Sequence, residues 1–153
     1  MMNETNQPSE STWLVRLAQD QQIDVKSMDA FQVLRRVADA VHSHDAQALL
    51  AEFALEDPRF NVFETSAPYR MSAEDIRGTA DVLAALRDPD MRFDEVRLDC
   101  ADAVAIATGY QVLSAGAKET RRRYSSRFSL VMVPMDGKWK ILHAHFSAIP
   151  GTR

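Results

Sequence analysis

The sequence predicts a single domain of the α+β class, in which helices pack on one face of a bent antiparallel sheet. Its first half carries apolar residues at helical spacing, and its second half carries long segments in which apolar and polar residues alternate. Between the last two alternating segments stands Asp136-Gly137, which favours a tight hairpin because glycine tolerates positive φ. Helices first and antiparallel strands later are typical of the α+β arrangement.

Size and charge restrict the class of protein. The chain has 153 residues, which fits one domain, and its 18 Lys and Arg against 22 Asp and Glu give a net charge of −4. A nucleic-acid-binding domain needs a basic surface that this balance does not provide. The basic run at residues 121–123 is interpreted as the solvated entry to a strand. We therefore expect no nucleic-acid partner.

The sequence also predicts where the protein works. Cys100 is the only cysteine, which excludes an intrachain disulfide and suits a reducing compartment. Residues 1–10 are polar and lack the apolar core of a signal peptide. No apolar run approaches the roughly 20 residues that cross a bilayer. A cytoplasmic location without a membrane partner is the expectation.

Residues 1–28 are predicted to form an N-terminal tail and residues 29–150 the domain itself. Ser11 is a candidate cap for a short helix within the tail. The first 10 residues carry no large apolar side chain beyond two methionines, so we expect them to be disordered and to contribute nothing to folding. The domain begins with a predicted helix over residues 29–43, whose apolar residues form one stripe.

Two further helices and a short strand are predicted from capping and alternation. Asp45 is the expected N-cap of a second, shorter helix. Ser72, followed three residues later by Asp75, resembles a capping box that begins a third helix. Between these helices, residues 60–65 alternate as a short strand does, with Glu64 on the apolar face.

The remaining chain is predicted to form four long strands. At about 3.3 Å per residue, the longest of them extend beyond about 30 Å. A sheet of that length must curl, and curling produces a concave face. The predicted strands span residues 93–100, 103–113, 124–133 and 138–147.

Three stretches resemble the nuclear transport factor 2-like superfamily, nearest its SnoaL-like branch. They are residues 44–50, residues 62–65 and residues 136–147, of which the last, with the sequence DGKWKILHAHFS, is the most specific. The association domain of calcium/calmodulin-dependent kinase II ends similarly, with histidines that match His143 and His145. The resemblance covers the domain from about residue 29 to residue 150, and it implies a cone-shaped, cystatin-like fold. The superfamily includes isomerases, dehydratases, cyclases and oligomerisation modules, so the fold leaves the function open.

Ungapped matching to the steroid delta-isomerase branch assigns candidate site residues. The catalytic base of those enzymes falls on Glu64, but their two acidic hydrogen-bond donors fall on Val37 and Ser129. Loss of such donors removes several kcal/mol of transition-state stabilisation, so steroid-isomerase chemistry is not expected. Apolar pocket positions of the same enzymes fall on Leu142 and Phe146, which the resemblance places in a ligand pocket.

The same matching places His143, His145 and Ser147 on the opposite, convex face, because neighbours in a strand alternate. A partner subunit often covers that face in the superfamily. Trp139 and Ile141 share this alternation, and the mixture is too apolar for open solvent. The resemblance therefore implies a homodimer that forms through the sheet.

The two histidines have a spacing that metal sites use, but no third ligand is evident in the sequence. Hydrogen-bonded histidines at a subunit interface are the preferred interpretation, and no metal is expected. The sequence also contains no glycine-rich phosphate loop and no nucleophile motif. No cofactor is expected.

Two interpretations of the charged pocket residues remain open. Glu64 is either a general base in an apolar pocket or a structural carboxylate paired with an arginine. The matching places Arg127 in the pocket phase of its strand, as the partner of Glu64, the anchor of an anionic ligand, or both. Ser129, Tyr69 and Tyr110 are further candidates for the wall or mouth of the pocket.

The leading hypothesis is a domain that binds a small hydrophobic or carboxylate-bearing ligand. Catalysis, if present, is expected to be cofactor-independent isomerisation, dehydration or cyclisation, with Glu64 as base and Arg127 as substrate anchor. The alternative is a non-catalytic oligomerisation or accessory module. A cavity of several hundred Å³ with converging polar groups favours the first hypothesis, and a fully packed cone favours the second.

Overall fold

The computed structural model describes residues 15–17 and 25–151. These residues form the predicted α+β arrangement, with helices on one face of a bent sheet. The helices are α1 (Val25–His42), α2 (Ala46–Leu50) and α3 (Ala73–Ala84), and the strands are β1 (Val15–Leu17), β2 (Asn61–Phe63), β3 (Asp90–Cys100), β4 (Ala105–Ala115), β5 (Arg122–Met135) and β6 (Lys138–Ala148).

The helix caps are the ones the sequence predicts. The Asp45 side chain accepts a hydrogen bond from the backbone N–H of Ala48, 2.9 Å away, and so begins α2. Ser72 and Asp75 form a reciprocal capping box at the start of α3. Helix α1 begins at Val25, a turn earlier than predicted, so residues 25–28 belong to the helix and not to a tail.

The sheet has the strand order β1-β3-β4-β5-β6-β2. Its four long strands pair antiparallel as predicted, whereas the short edge strands β1 and β2 run parallel to β3 and β6. The short N-terminal helix predicted after Ser11 is wrong at Val15–Leu17, where the chain instead pairs with the edge of β3. Residues 1–14 lie outside the described residues. The expectation that the first 10 residues are disordered and contribute nothing to folding therefore stays a prediction.

Two bulges bend the long strands. In β3, the pairing with β4 shifts by one residue between Asp94 and Arg97, and Glu95 takes a positive φ of 52°. Gly109 of β4 faces this bulge so closely that a Cβ atom there would lie 2.9 Å from the carbonyl oxygen of Asp94. The second bulge inserts Leu142 into β6, opposite β5.

The hydrophobic core lies between the concave face of the sheet and the helices. Phe93 and Phe128 meet edge to face there, with ring centroids 5.4 Å apart. Glu52 is the buried charged residue of the described part of the chain, and its carboxylate accepts a hydrogen bond from Arg36 Nε at 2.7 Å. That ion pair connects α1 to the segment after α2.

The largest fully buried side chains of the core are Phe93, Leu34, Met91, Met132, Ile141, Val33, Val41 and Val96.

Residues 51–60 connect α2 to β2, and a turn near their end contains Asp57 and Arg59. The Arg59 side chain and backbone N–H both donate to the carboxylate of Asp57, and these hydrogen bonds lower the pKa of Asp57 to about 2. The Asp57 carboxylate therefore stays ionised to a lower pH than an ordinary aspartate does. None of the helices that the structure describes is long and apolar enough to cross a membrane.

Candidate functional site

A cavity of about 830 Å³ lies between the helices and the concave face of the sheet. A volume of that size is typical of small-molecule sites. Strand register explains its position. Toward one end of the sheet, Ala107, Leu130 and Ala144 form a paired row with almost no exposed surface, and toward the other end the row of Gln111, Ser126 and Ala148 borders the cavity.

Most of the cavity wall is apolar. Helices contribute side chains that continue the apolar stripes of α1 and α3, and the sheet contributes a matching set from its concave face. Such a wall favours a ligand with a largely hydrocarbon body. The apolar lining residues are Val37, Leu49, Phe53, Val62, Ile76, Ala80, Leu83, Met91, Leu113, Ala144, Phe146 and Ala148.

Glu64 lies in the cavity wall, in the phase that the sequence predicts. It follows β2, in which Val62 faces the core, and its side chain is half-buried. One carboxylate oxygen, Oε1, accepts hydrogen bonds from both the backbone N–H and the hydroxyl of Ser66. Among the described residues no cation pairs with Glu64, so the predicted structural ion pair with Arg127 is not formed.

Arg127 and Ser129 lie on the convex face, and their predicted pocket phase is wrong. Their neighbours Phe128 and Leu130 are buried in the core, and alternation then directs Arg127 and Ser129 away from it. Arg127 is exposed, and its Nε donates to the hydroxyl of Ser147 at 3.3 Å. Glu64 and Arg127 therefore belong to opposite faces of the sheet, and a site that combines them fails.

The two predicted tyrosines are also outside the cavity. Tyr110 is paired with Arg127 in the sheet and shares its convex face, with 37% of its surface exposed. Tyr69 follows Pro68 in the loop before α3 and is 56% exposed. Neither ring lines the cavity.

The sequence predicts that Leu142 and Phe146 of β6 line the pocket, which is right for Phe146 and wrong for Leu142. Phe146 lines the cavity, whereas Leu142 is buried in the core at the β6 bulge. Because the bulge breaks the alternation, Ile141 faces the core and does not share the convex face with His143. Trp139 likewise packs against the core, so the apolar convex surface inferred from these two residues is smaller than predicted.

The polar cavity residues that the sequence interpretation missed include Arg123, Gln111 and Ser126. Arg123 lies at the start of β5 beside exposed Tyr124, and its guanidinium has no ion-pair partner among the described residues. Its neighbour Arg121 is different, because it donates to three backbone carbonyls and is structural. Strand alternation gave no signal for Arg123, because it shares the phase of Arg127 and not that of Phe128, and only the position of the cavity at the start of β5 reveals it.

The histidine pair lies on the convex face, as the resemblance implies. His143 Nδ1 is 3.0 Å from both the backbone oxygen and the side-chain oxygen of Asn61, so this nitrogen carries the proton. The Phe63 ring packs against both His143 and His145, and Arg70 lies over the same ring at 5.4 Å. The described residues contain no group of three side chains able to hold a metal ion.

Comparisons with known proteins agree with this architecture. The family model of the SnoaL-like domain matches residues 31–151. A comparison with curated protein sequences gives no match.

Three solved structures show the same fold at low sequence identity. A candidate calcium/calmodulin-dependent protein kinase II association domain from Xanthomonas campestris superposes with a TM-score of 0.71 at 18% identity, covering 84% of this chain and 91% of that one. A candidate dehydratase of the nuclear transport factor 2-like family from Streptomyces avermitilis gives 0.71 at 12% identity, covering 82% and 97%. A nuclear transport factor 2-like protein with a cystatin-like fold from Novosphingobium aromaticivorans gives 0.67 at 12% identity, covering 86% and 94%.

Proposed function

The chain belongs to the SnoaL-like domain family, and from this premise we propose that it binds a small, largely apolar molecule with one anionic group. The observation that carries the proposal is the cavity of about 830 Å³, whose apolar wall is interrupted by a few polar side chains. A cone made only for oligomerisation has no need of such a space. The lone, half-buried Cys100 suits the cytoplasmic location that we propose with it.

Arg123 replaces Arg127 as the proposed anchor of the anionic group. An exposed arginine at the border of an apolar cavity attracts a carboxylate, while the ligand body is desolvated inside. Glu64 is the only acidic side chain in the cavity wall among the described residues, and it repels the same group. The two charges therefore give the ligand one orientation, with its carboxylate near Arg123.

Glu64 is the proposed base if the ligand is a substrate. Ser66 occupies its Oε1, and its other oxygen has no protein hydrogen bond among the described residues. That oxygen is available to accept a proton from carbon, which is the chemistry of cofactor-independent isomerisation, dehydration or cyclisation. The fold-level similarity to a candidate dehydratase supports this reaction class by analogy.

Binding is tested with 8-anilinonaphthalene-1-sulfonate, an apolar anionic dye, and 4-benzylbenzoate as a carboxylate-bearing competitor. We expect the dye to saturate at a single molecule per chain and to be displaced by 4-benzylbenzoate. Arg123→Gln should lower the affinity for 4-benzylbenzoate about tenfold, because one charge-assisted contact is lost. Arg122→Gln is the matched control, since Arg122 is exposed on the same strand but does not line the cavity. Equal weakening by both variants, or absence of saturable binding, contradicts the proposal.

An oligomerisation module is the second candidate, favoured by the similarity to an association domain and by the exposed convex face. Ile106 is 43% exposed there, beside Thr108 and Tyr110. We propose that a second copy covers this face. Sedimentation should then show twice the chain mass of 17.2 kDa, and Ile106→Glu should yield monomers. Val82→Glu is the control, because Val82 is exposed on α3. A wild-type monomer excludes this candidate.

A further inference from the structure

We propose that Gln111 and Ser126 form a recognition pair for a carbonyl oxygen of the ligand. This inference rests on the proposed ligand-binding function and narrows the ligand to carbonyl compounds. The two residues are direct partners in the pairing of β4 with β5. Both line the cavity, and side chains in such paired positions are about 5 Å apart at Cβ.

The hydrogen-bonding groups of this pair are not committed to strong protein partners. Gln111 Nε2 contacts only the thioether sulfur of Met91, at 3.8 Å, and a thioether is a weak acceptor. The Ser126 hydroxyl has no hydrogen bond within the described residues. Other cavity hydroxyls differ, because Thr79 donates to the Asp75 carbonyl oxygen at 3.1 Å and Ser66 donates to Glu64.

Polar groups at an apolar wall are costly unless something pairs with them. An amide N–H and a hydroxyl side by side supply two neutral donors, which match the two lone pairs of a carbonyl oxygen. A carboxylate finds its counter-charge at Arg123, three residues along β5 from Ser126, or about 10 Å at the rise of a strand. The structure therefore points to a ligand with a carbonyl group and a separate anionic group, joined by a hydrocarbon body.

Two probes isolate the carbonyl contact. In 4-benzoylbenzoate a ketone joins two rings, and in 4-benzylbenzoate a methylene group replaces it, while the carboxylate stays the same. Competition against 8-anilinonaphthalene-1-sulfonate measures both affinities. We expect the ketone to bind about tenfold more tightly to the wild-type protein, as one or two added hydrogen bonds would give.

Gln111→Leu and Ser126→Ala should each reduce the ratio of the two affinities, and the double variant should bring it close to one. Affinity for 4-benzylbenzoate should change little. Ser129→Ala is the matched control for Ser126→Ala, because it lies on the convex face of the same strand. Thr79→Val is a second control, since that hydroxyl already has a backbone partner. Cooperative thermal unfolding of every variant confirms that it is folded.

The outcomes separate this inference from the function on which it rests. Equal affinity of the wild-type protein for the two probes overturns the carbonyl site and leaves the binding function standing. A preference for the ketone that survives in the double variant also overturns it. If neither probe displaces the dye, the proposed function fails and the carbonyl site fails with it.

Discussion

Glu64 is held in the cavity wall by only one of its two carboxylate oxygens. Ser66 donates twice to Oε1, which fixes the side chain without neutralising it. A fixed carboxylate in an otherwise apolar wall is suited to general-base chemistry, because its orientation costs nothing further when the ligand binds. The sequence left open whether Glu64 is a base or the carboxylate of a structural ion pair, and this geometry does not include an ion pair among the described residues.

Glu64→Gln tests whether this carboxylate acts as a base. Wild-type protein in heavy water should accelerate deuterium exchange at the carbon next to the carbonyl of 2-tetralone above the buffer rate, as followed by proton NMR. The variant should lose at least about 90% of that acceleration, because an amide cannot accept the proton. Binding of 4-benzylbenzoate should persist in the variant. Undiminished exchange in Glu64→Gln would remove the catalytic role and leave a binding protein.

Single charged residues also show how far the sequence predicts the site. Glu64 was predicted by ungapped matching, and the apolar face of a short strand independently carries it. Arg127 was misplaced because its phase came from ungapped matching, although the apolar alternation of Phe128 and Leu130 in the same strand contradicts that phase. Gln111 had no sequence signal, since a half-buried amide in a strand is ordinary until a cavity is seen beside it.

A buried ion pair joins α1 to the segment after α2. Arg36 Nε lies 2.7 Å from the buried Glu52 carboxylate. Arg36→Met should lower the free energy of unfolding by about 2 kcal/mol, because it leaves that carboxylate without its charged donor. Arg35→Met is the matched control, since the Arg35–Asp39 contact is 3.8 Å long and exposed, and it should cost less than about 0.5 kcal/mol.

Urea unfolding of both arginine variants, and of the double variant Arg36→Met with Glu52→Gln, measures the coupling between Arg36 and Glu52. We expect the double variant to recover part of the loss, because a neutral amide is less costly to bury than a lone carboxylate. Equal effects of Arg36→Met and Arg35→Met would show that the pair does not hold these elements together.

The bend of β3 against β4 depends on Gly109. A Cβ atom there would lie 2.9 Å from the Asp94 carbonyl oxygen and 3.1 Å from the Phe128 ring. Gly109→Ala should therefore destabilise the protein by about 1–3 kcal/mol. Gly78→Ala makes the same change inside α3, where nothing lies within 4 Å, and it should stabilise by roughly 0.5–1 kcal/mol. Thermal unfolding measures whether each variant is destabilised or stabilised. Unchanged stability of Gly109→Ala would mean that the bulge relaxes easily.

Local patterns predicted the elements well, whereas long-range pairing was harder to predict. The caps at Asp45 and Ser72 and the turn at Asp136-Gly137 depend on neighbouring residues, and all three are present. Strand β1 (Val15–Leu17) depends on the open edge of β3, which helical spacing in the N-terminal segment cannot reveal. The bulge at Leu142 depends on register with β5, so strict alternation misassigned the residues around it.

At the scale of the whole molecule, the curled sheet and the helices enclose a space that neither layer fills. The concave face is packed at one end and ends in small or polar side chains at the other, where the cavity lies. The fold class was predicted from the order of helices and strands and from the resemblance to the superfamily. The cavity itself was expected only because a long sheet must curl. Its lining residues could be identified only once the register of each strand was known.

The most direct test of ligand binding in the cavity is the set of NOEs between 4-benzylbenzoate and the methyl groups of isotope-labelled protein. Binding between the helices and the sheet predicts NOEs from the ligand rings to Ile76, Leu83 and Leu113, which line the cavity. No NOEs are expected to Ile106 on the convex face or to Val82 on the exposed side of α3. NOEs confined to Ile106 or Val82, or none at saturating ligand, would contradict ligand binding in the cavity.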